Sequence, residues 1–202
     1  MNIKQPRANK KKDHDKKHLR QHFRARRRKL SRSQQQHAAL MLCKNLLRIL
    51  DTSKLKTIAC YNASDGEISL SPFIQACLKK GIKCFTPTIR PNNSMSFHQY
   101  SGNYALQKNI YGILEAPNSA KTIQAHKFDL VLLPLVAFDK NGRRLGMGGG
   151  YYDRCFEFLN HNRGPILIGV SHHCQQSKNL PEDVWDISLK HIVSDKNIIE
   201  CH

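Results

Sequence analysis

No stretch of eighteen apolar residues occurs in the 202-residue chain, which argues against a transmembrane helix. The first thirty residues are basic and polar and lack the apolar segment of a secretory signal. No C-x-x-C pair is present, although there are seven cysteines. Their odd number and scattered positions argue against a zinc ribbon or a thioredoxin-like centre. Cys60, Cys77 and Cys84 stand in apolar segments, where a free thiol behaves as a small hydrophobe. The expectation is a reduced, cytoplasmic protein. Apolar residues make up 40% of the chain, slightly low for a globular protein, with the deficit concentrated at the N-terminus. The length suits one domain with a real core.

Acidic residues are scarce, 15 against 33 Lys and Arg, and the resulting charge of +18 is unevenly spread. Residues 1–32 hold fourteen basic residues against Asp13 and Asp15, a net +12, and the remaining 170 residues carry a net +6. Residues 1–14 read as a basic, disordered tail, with residues 15–202 as the single domain. A nucleic-acid-binding arm is the alternative for the tail. It contains no aromatic residue to stack on bases, which weakens that alternative.

From Lys16 to Lys29 the pattern predicts a basic helix anchored by Leu19, Phe23 and Leu30. Ser31 and Gln34 then fit a capping box. A second helix follows to about Leu50, burying Ala39, Leu42, Leu46 and Ile49. Thereafter short apolar runs alternate with helical segments. Strands are predicted at Thr57–Tyr61, Ile82–Phe85, Met95–Tyr100, Phe128–Phe138, Pro165–Val170 and His191–Ser194. Helices are predicted at Pro72–Lys80, stopped by Gly81, and at Tyr151–Leu159. This alternation implies an α/β fold with a mainly parallel sheet covered on both faces.

The strongest chemical feature follows the most apolar strand. The chain reads LVLLPLVAFDKNGRRLGMGGGYYDR, ending at Arg154. In open α/β sheets ligands bind beyond the carboxyl ends of strands, and this loop leaves such an end. Its glycines permit close approach of backbone N–H groups to an anion, and the following helix adds further donors and a positive dipole end. Arg143 and Arg144 supply fixed charge and forked donors. Asp153 could hold a Mg²⁺ that bridges phosphate oxygens. The loop is neither G-x-x-x-x-G-K-[ST] nor G-x-G-x-x-G, so neither standard nucleotide loop applies. Elsewhere, Ser171-His172-His173-Cys174 has metal-ligand residue types. Adjacent histidines in a strand point to opposite faces, so a polar strand end near the cleft is the favoured reading.

These residues resemble the 5-formyltetrahydrofolate cyclo-ligase family, also called methenyltetrahydrofolate synthetases. The family pattern is P-x-x-x-F-D, a turn, then R-L-G-x-G-x-G-[YF]-Y-D. Here it stands as Pro134, Phe138 and Asp139, then Arg144 to Asp153. Lys16 to Arg20 resembles the K-x-x-L-R start, Glu67-Ile68 the E-[VI]-x-T segment, Tyr111 to Glu115 the G-I-x-E-P piece, and Trp185-Asp186 a late aspartate. The resemblance spans about residues 16–195. It implies a three-layer α/β/α sandwich and a monomeric enzyme. It also implies use of ATP and Mg²⁺ to convert 5-formyltetrahydrofolate, with or without a polyglutamate tail, to 5,10-methenyltetrahydrofolate.

Carried over by residue, the resemblance implies a catalytic set of Arg144, Tyr152 and Asp153. ATP would be held by Lys16, Lys17, Arg20, Arg144, Leu145, Gly146, Met147, Gly148, Gly149, Gly150, Tyr151 and Tyr152. The folate would meet Arg20, Glu67, Tyr111, Met147, Gly148, Gly149, Gly150 and Tyr151. Mg²⁺ would meet Asp153 and Asp186. Leu70 stands where the family has Thr, which loosens the register near Glu67. Met147 and Gly149 stand where some members have Arg and Lys, and Arg143 and the basic first helix are expected to compensate. The rival functions are a nucleic-acid-binding or scaffold protein that kept the fold, and ATP-dependent activation of a non-folate substrate.

Overall fold

A computed structural model describes residues 10–90, 94–100, 107–108, 114–115, 117, 119–160, 164–183 and 186–201. The main elements are α1 (Lys10–Arg28), α2 (Arg32–Ile49), β1 (Thr57–Ala59), α3 (Ser71–Lys79), β2 (Lys83–Arg90) and β3 (Ser94–Tyr100). Next come the short strands β4 (Gln107–Lys108), β5 (Leu114–Glu115) and β6 (Thr122–Ile123). The C-terminal part holds β7 (Leu130–Pro134), β8 (Ala137–Phe138), β9 (Arg144–Leu145), α4 (Tyr151–Cys155), β10 (Ile166–Ser171), β11 (His191–Ser194) and β12 (Ile198–Glu200).

Eight strands form one sheet in the order β12-β11-β10-β7-β1-β2-β3-β6. The five from β11 to β2 run parallel, and β12, β3 and β6 join antiparallel at the edges. Two apolar layers cover the sheet. One packs Leu42, Leu46, Phe73 and Cys77 of α2 and α3 against Ile58, Leu130 and Ile168. The other gathers Phe97, Phe128, Phe138 and Phe156 around Val131 and Leu133. Residues on β7 thus alternate between two buried faces, and the segment reads as a continuous apolar run for that reason.

Three predicted elements change shape. The run Phe128–Phe138 is two strands rather than one. Pro134 has no N–H to continue the ladder, and the chain leaves the sheet there to build the β8–β9 hairpin. The predicted helix Tyr151–Leu159 is a single turn ending at Cys155, followed by a 3₁₀ turn at Glu157–Asn160. The first helix begins at Lys10, inside the segment read as a disordered tail.

Helix α2 begins as expected: Gln34 N–H donates to Ser31 Oγ at 3.3 Å and Ser31 N–H to Gln34 Oε1 at 2.8 Å. Asn45 on its buried face donates to the Ser194 carbonyl at 2.9 Å, tying α2 to the end of β11. Helix α1 attaches differently. Its inward residues Lys16, Phe23 and Arg27 are buried, and two of the three are charged. It is held by ion pairs and carbonyl contacts as well as by the packing of Phe23 and Leu19 against Val136, Leu145 and Leu180.

Candidate active site

The β8–β9 hairpin delivers the glycine loop to the carboxyl end of the sheet. Asp139 fixes the hairpin's turn by accepting from Asn141 N–H at 2.9 Å and Arg143 N–H at 3.1 Å, and its other oxygen accepts from Leu180 N–H at 3.0 Å. Residues Gly146 to Gly149 lie exposed beyond it. Gly148 (φ +96°) and Gly150 (φ +63°) adopt left-handed backbone that disfavours other residues. The N–H groups of Gly148, Gly149 and Gly150 donate to no backbone carbonyl among the described residues. Backbone donors are therefore presented outward, as an anion cradle requires. Helix α4 is only five residues long, so its dipole adds less than the sequence suggested.

Helix α1 lies over this loop. Arg20 Nε donates to the Gly146 carbonyl at 2.9 Å. Its guanidinium approaches Gly148 so closely that a Cβ there would lie 3.1 Å from Arg20 Cζ. Lys16 forms an ion pair with Asp183. Asp183 N–H in turn donates to the Asp186 carboxylate at 2.9 Å. Asp153 accepts from Arg144 at 2.8 Å and from Ile187 N–H at 3.5 Å. Arg144 also donates to the Ile187 carbonyl. Lys16, Arg20, Arg144, Asp153 and Asp186 therefore belong to one connected assembly, although they come from four separate parts of the chain.

Glu67 is largely buried. Its side chain is 10% exposed, accepts from Ser64 N–H at 3.0 Å and lies 3.7 Å from Arg27. Burial raises its carboxyl above the ordinary value, and Arg27 opposes that rise without reversing it. The phenol of Tyr152 is pushed well up, first by burial and then by the Glu67 charge. Tyr61 is pushed up by the same two causes and donates to the Ile68 carbonyl at 2.6 Å. Glu67, Tyr61 and Tyr152 thus share one low-dielectric neighbourhood beside the glycine loop.

Two predicted residues fall elsewhere. Lys17 is exposed on α1, next to the buried Lys16. Arg143 turns away from the loop, donating to Asn179 at 2.6 Å and lying 3.6 Å from Glu182. It braces the hairpin against residues 179–182 and does not compensate for Met147 and Gly149. Tyr111 lies outside the described residues.

The sequence reading missed Arg27, the largest fully buried side chain. It donates to the Asp65 carbonyl at 2.8 Å, to Asp65 Oδ2 at 3.0 Å and to the Leu135 carbonyl at 3.5 Å. Asp65 also receives Arg24 at 2.7 Å and Arg28. Burial raises the Asp65 carboxyl, but the three arginines outweigh it and hold it below the ordinary value. Its backbone is left-handed, with φ +51°. The only signal in the sequence was the run Arg24 to Arg28, which reads as a solvated face.

His172 directly follows β10, behind the same cluster, and is 1% exposed. Burial lowers its pKa to about 4; Asp195 opposes that and Arg27 reinforces it. The unfolded chain, near 6.5, therefore takes up the proton first. Stability from this group is complete above about pH 6.5 and is lost as pH falls towards 4, by about 3 kcal/mol in all. His172→Phe should flatten this part of the stability profile in urea titrations between pH 4 and 7. An unchanged slope would refute the assignment. No set of three or more metal-ligating side chains converges among the described residues, at His172-His173-Cys174 or elsewhere.

The doubly covered parallel sheet, with an open glycine loop and facing carboxylates and basic residues at its carboxyl end, defines an α/β/α protein whose polar groups gather where such sheets bind ligands. The family described as 5-formyltetrahydrofolate cyclo-ligase matches residues 12–195, and the chain belongs to that family. It is 34% identical over 163 residues to the 5-formyltetrahydrofolate cyclo-ligase of Haemophilus influenzae, covering 79% of this chain and 87% of that protein. It is 31% identical over 181 residues to the enzyme of the same name from Escherichia coli K12, covering 88% and 99%. The solved structure of Aquifex aeolicus 5,10-methenyltetrahydrofolate synthetase superposes with a TM-score of 0.77 at 30% identity, covering 92% of each chain. That of the Mycoplasma pneumoniae synthetase gives 0.73 at 27% identity, covering 90% of this chain and 99% of that one.

Proposed function

We propose that the chain converts 5-formyltetrahydrofolate and ATP to 5,10-methenyltetrahydrofolate, ADP and phosphate. The observation that carries the ATP part is the seating of Arg20 on the Gly146–Gly148 backbone, beside outward-facing N–H groups and the Asp153–Asp186 carboxylates. A formamide oxygen is a poor leaving group. Transfer of the γ-phosphoryl group to it, with departure of ADP, makes it a good one. N10 then attacks the activated carbon, loses its proton, and the ring closes as phosphate leaves. Such a reaction needs alignment and charge neutralisation more than a protein nucleophile.

In this reading the loop N–H groups and Arg20 bind the phosphates, and Lys16 positions Asp183 and with it the segment carrying Asp186. Tyr152 and Glu67 form the floor nearer the folate. The donor set fits Mg²⁺, which takes one or two carboxylates together with phosphate oxygens and water. Asp153 and Asp186 each have one oxygen engaged within the protein, on Ile187 and Arg144 or on Asp183. No hydrogen bond from a described residue reaches the other oxygen of either. When bound there, Mg²⁺ would neutralise charge on the phosphates.

The nucleic-acid arm read at residues 1–14 lies mostly outside the described residues, and the basic helix that follows adds little to that reading. Lys16, Arg20, Arg24, Arg27 and Arg28 are all engaged within the protein. The test is appearance of methenyl absorbance from 5-formyltetrahydrofolate and Mg-ATP. Absence of ATP-dependent product at any enzyme level would overturn the proposal. Arg20→Ala, which loses a charge-assisted phosphate contact, and Lys16→Ala, which releases Asp183 and the segment carrying Asp186, should each raise the KM for ATP by roughly tenfold. An unchanged KM would remove them from the ATP site.

A further inference from the structure

Helix α1 carries histidines at 14, 18 and 22, one turn apart. Residues i and i+4 share a helix face. The rings of His14 and His18 lie 5.7 Å apart between centroids, tilted by 56°, and both residues are exposed. His22 is turned edge-on to Phe23, with centroids 5.0 Å apart, and leaves the pair. Two imidazoles on one tetrahedral metal ion, each with a metal–nitrogen distance of about 2.0 Å, place their centroids about 5 Å apart. Both side chains are exposed, so a change of rotamer can bring the pair to that spacing.

We propose that His14 and His18 form a two-imidazole site for a divalent transition cation, Zn²⁺ in the first instance. Paired histidines at this helical spacing are the protein half of known zinc sites on helices. Since no third protein ligand converges among the described residues, water completes the coordination. The exposed carboxylates of Asp13 and Asp15 flank His14 and offset part of the local lysine charge. Imidazole selects Zn²⁺, Ni²⁺ or Cu²⁺ over the oxygen-seeking Mg²⁺, so the site is separate in chemistry from Asp153 and Asp186. It is also separate in place, on the exposed side of α1.

The site has a structural consequence. His14 and His18 bracket Lys16, whose ion pair with Asp183 fixes α1 to the segment carrying Asp186. A metal bridging 14 to 18 requires that turn to be helical. Occupancy therefore stabilises the start of α1 by mass action.

The experiment is calorimetric titration of the full chain with zinc chloride, without nucleotide or folate. It is repeated on His14→Ala, His18→Ala and the double variant. The seven cysteines are free and could bind zinc independently, so the double variant supplies the background. The expected result is one Zn²⁺ bound above that background, weakened roughly tenfold or more by either single substitution. Zn²⁺ should also raise the Tm of the parent chain but not of the double variant. Circular dichroism checks that each variant remains folded, which exposed alanines on a helix favour. Equal affinity and equal Tm shift in the parent and double variant would overturn the proposal. So would displacement of the bound Zn²⁺ by equimolar Mg²⁺.

Discussion

Arg27→Met should cost about 3–5 kcal/mol of folding stability, more than any other single change on α1. The guanidinium is fully buried, and its partners are the carbonyls of Asp65 and Leu135 and the carboxylates of Asp65 and Glu67. Removing the cation leaves the buried Glu67 carboxylate without the positive charge that opposes the cost of its burial. The Leu135 carbonyl keeps its bond from Gln175 at 2.7 Å, so the loss falls on the carboxylates and on the Asp65 carbonyl. Arg24 and Arg28 continue to hold Asp65 from the surface side, so the loop at 65–67 is loosened without being released. Arg27→Lys should recover little, because an ammonium cannot span two carbonyls and two carboxylates as a planar fork does. Urea unfolding at neutral pH reads the effect directly. A loss below about 1 kcal/mol would mean that the buried charge is compensated by groups other than these. If Glu67 contacts the folate, Arg27→Lys should also raise the KM for folate more than that for ATP.

The contrast between Arg27 and Gly148 explains what could be read from the sequence. The glycine loop was legible because its function imposes local chemistry: open backbone, left-handed torsions and a carboxylate just beyond. The alternation of β1, α3, β2, β7 and β10 was legible because strands buried on two faces need unbroken apolar runs. Arg27 was not legible, since a helix reading places a charged residue on the solvated side by default. Only the tertiary position of Asp65 and Leu135 turns that side inward. Arg143 and Arg144 are identical neighbours in sequence, yet the hairpin sends one to Asn179 and the other to Asp153. Arg143 still belongs to the turn held by Asp139 whereas Arg144 opens β9, and that strand exists only through its pairing with β8. The same limit applies to β12, whose three residues become a strand by pairing with β11. Asp183 carried no motif at all, and its ion pair with Lys16 and its N–H bond to Asp186 place it in the site.

Asp153→Asn should lower kcat/KM by about 100-fold or more while the protein stays folded. The amide keeps the size of the side chain and an oxygen able to accept from Arg144 and Ile187 N–H. What it removes is the negative charge. Within the protein that charge pairs with an Arg144 side chain that is 11% exposed, and its loss should cost about 1 kcal/mol. At the proposed metal position the consequence is larger, because an amide is a much weaker ligand for a hard cation than a carboxylate. The two roles separate by experiment. If Asp153 holds Mg²⁺, half-saturation of the Asn variant shifts to higher Mg²⁺ and activity recovers in part at high concentration. If it acts only by orienting Arg144, Arg144→Met should reproduce the defect with no shift in the Mg²⁺ requirement. Asp186→Asn provides the comparison, since its carboxylate accepts from Asp183 N–H and shares nothing with Arg144. A Mg²⁺ shift in Asp186→Asn but not in Asp153→Asn would leave Asp186 as the metal ligand and return Asp153 to the role of a brace between α4 and the 186–187 segment.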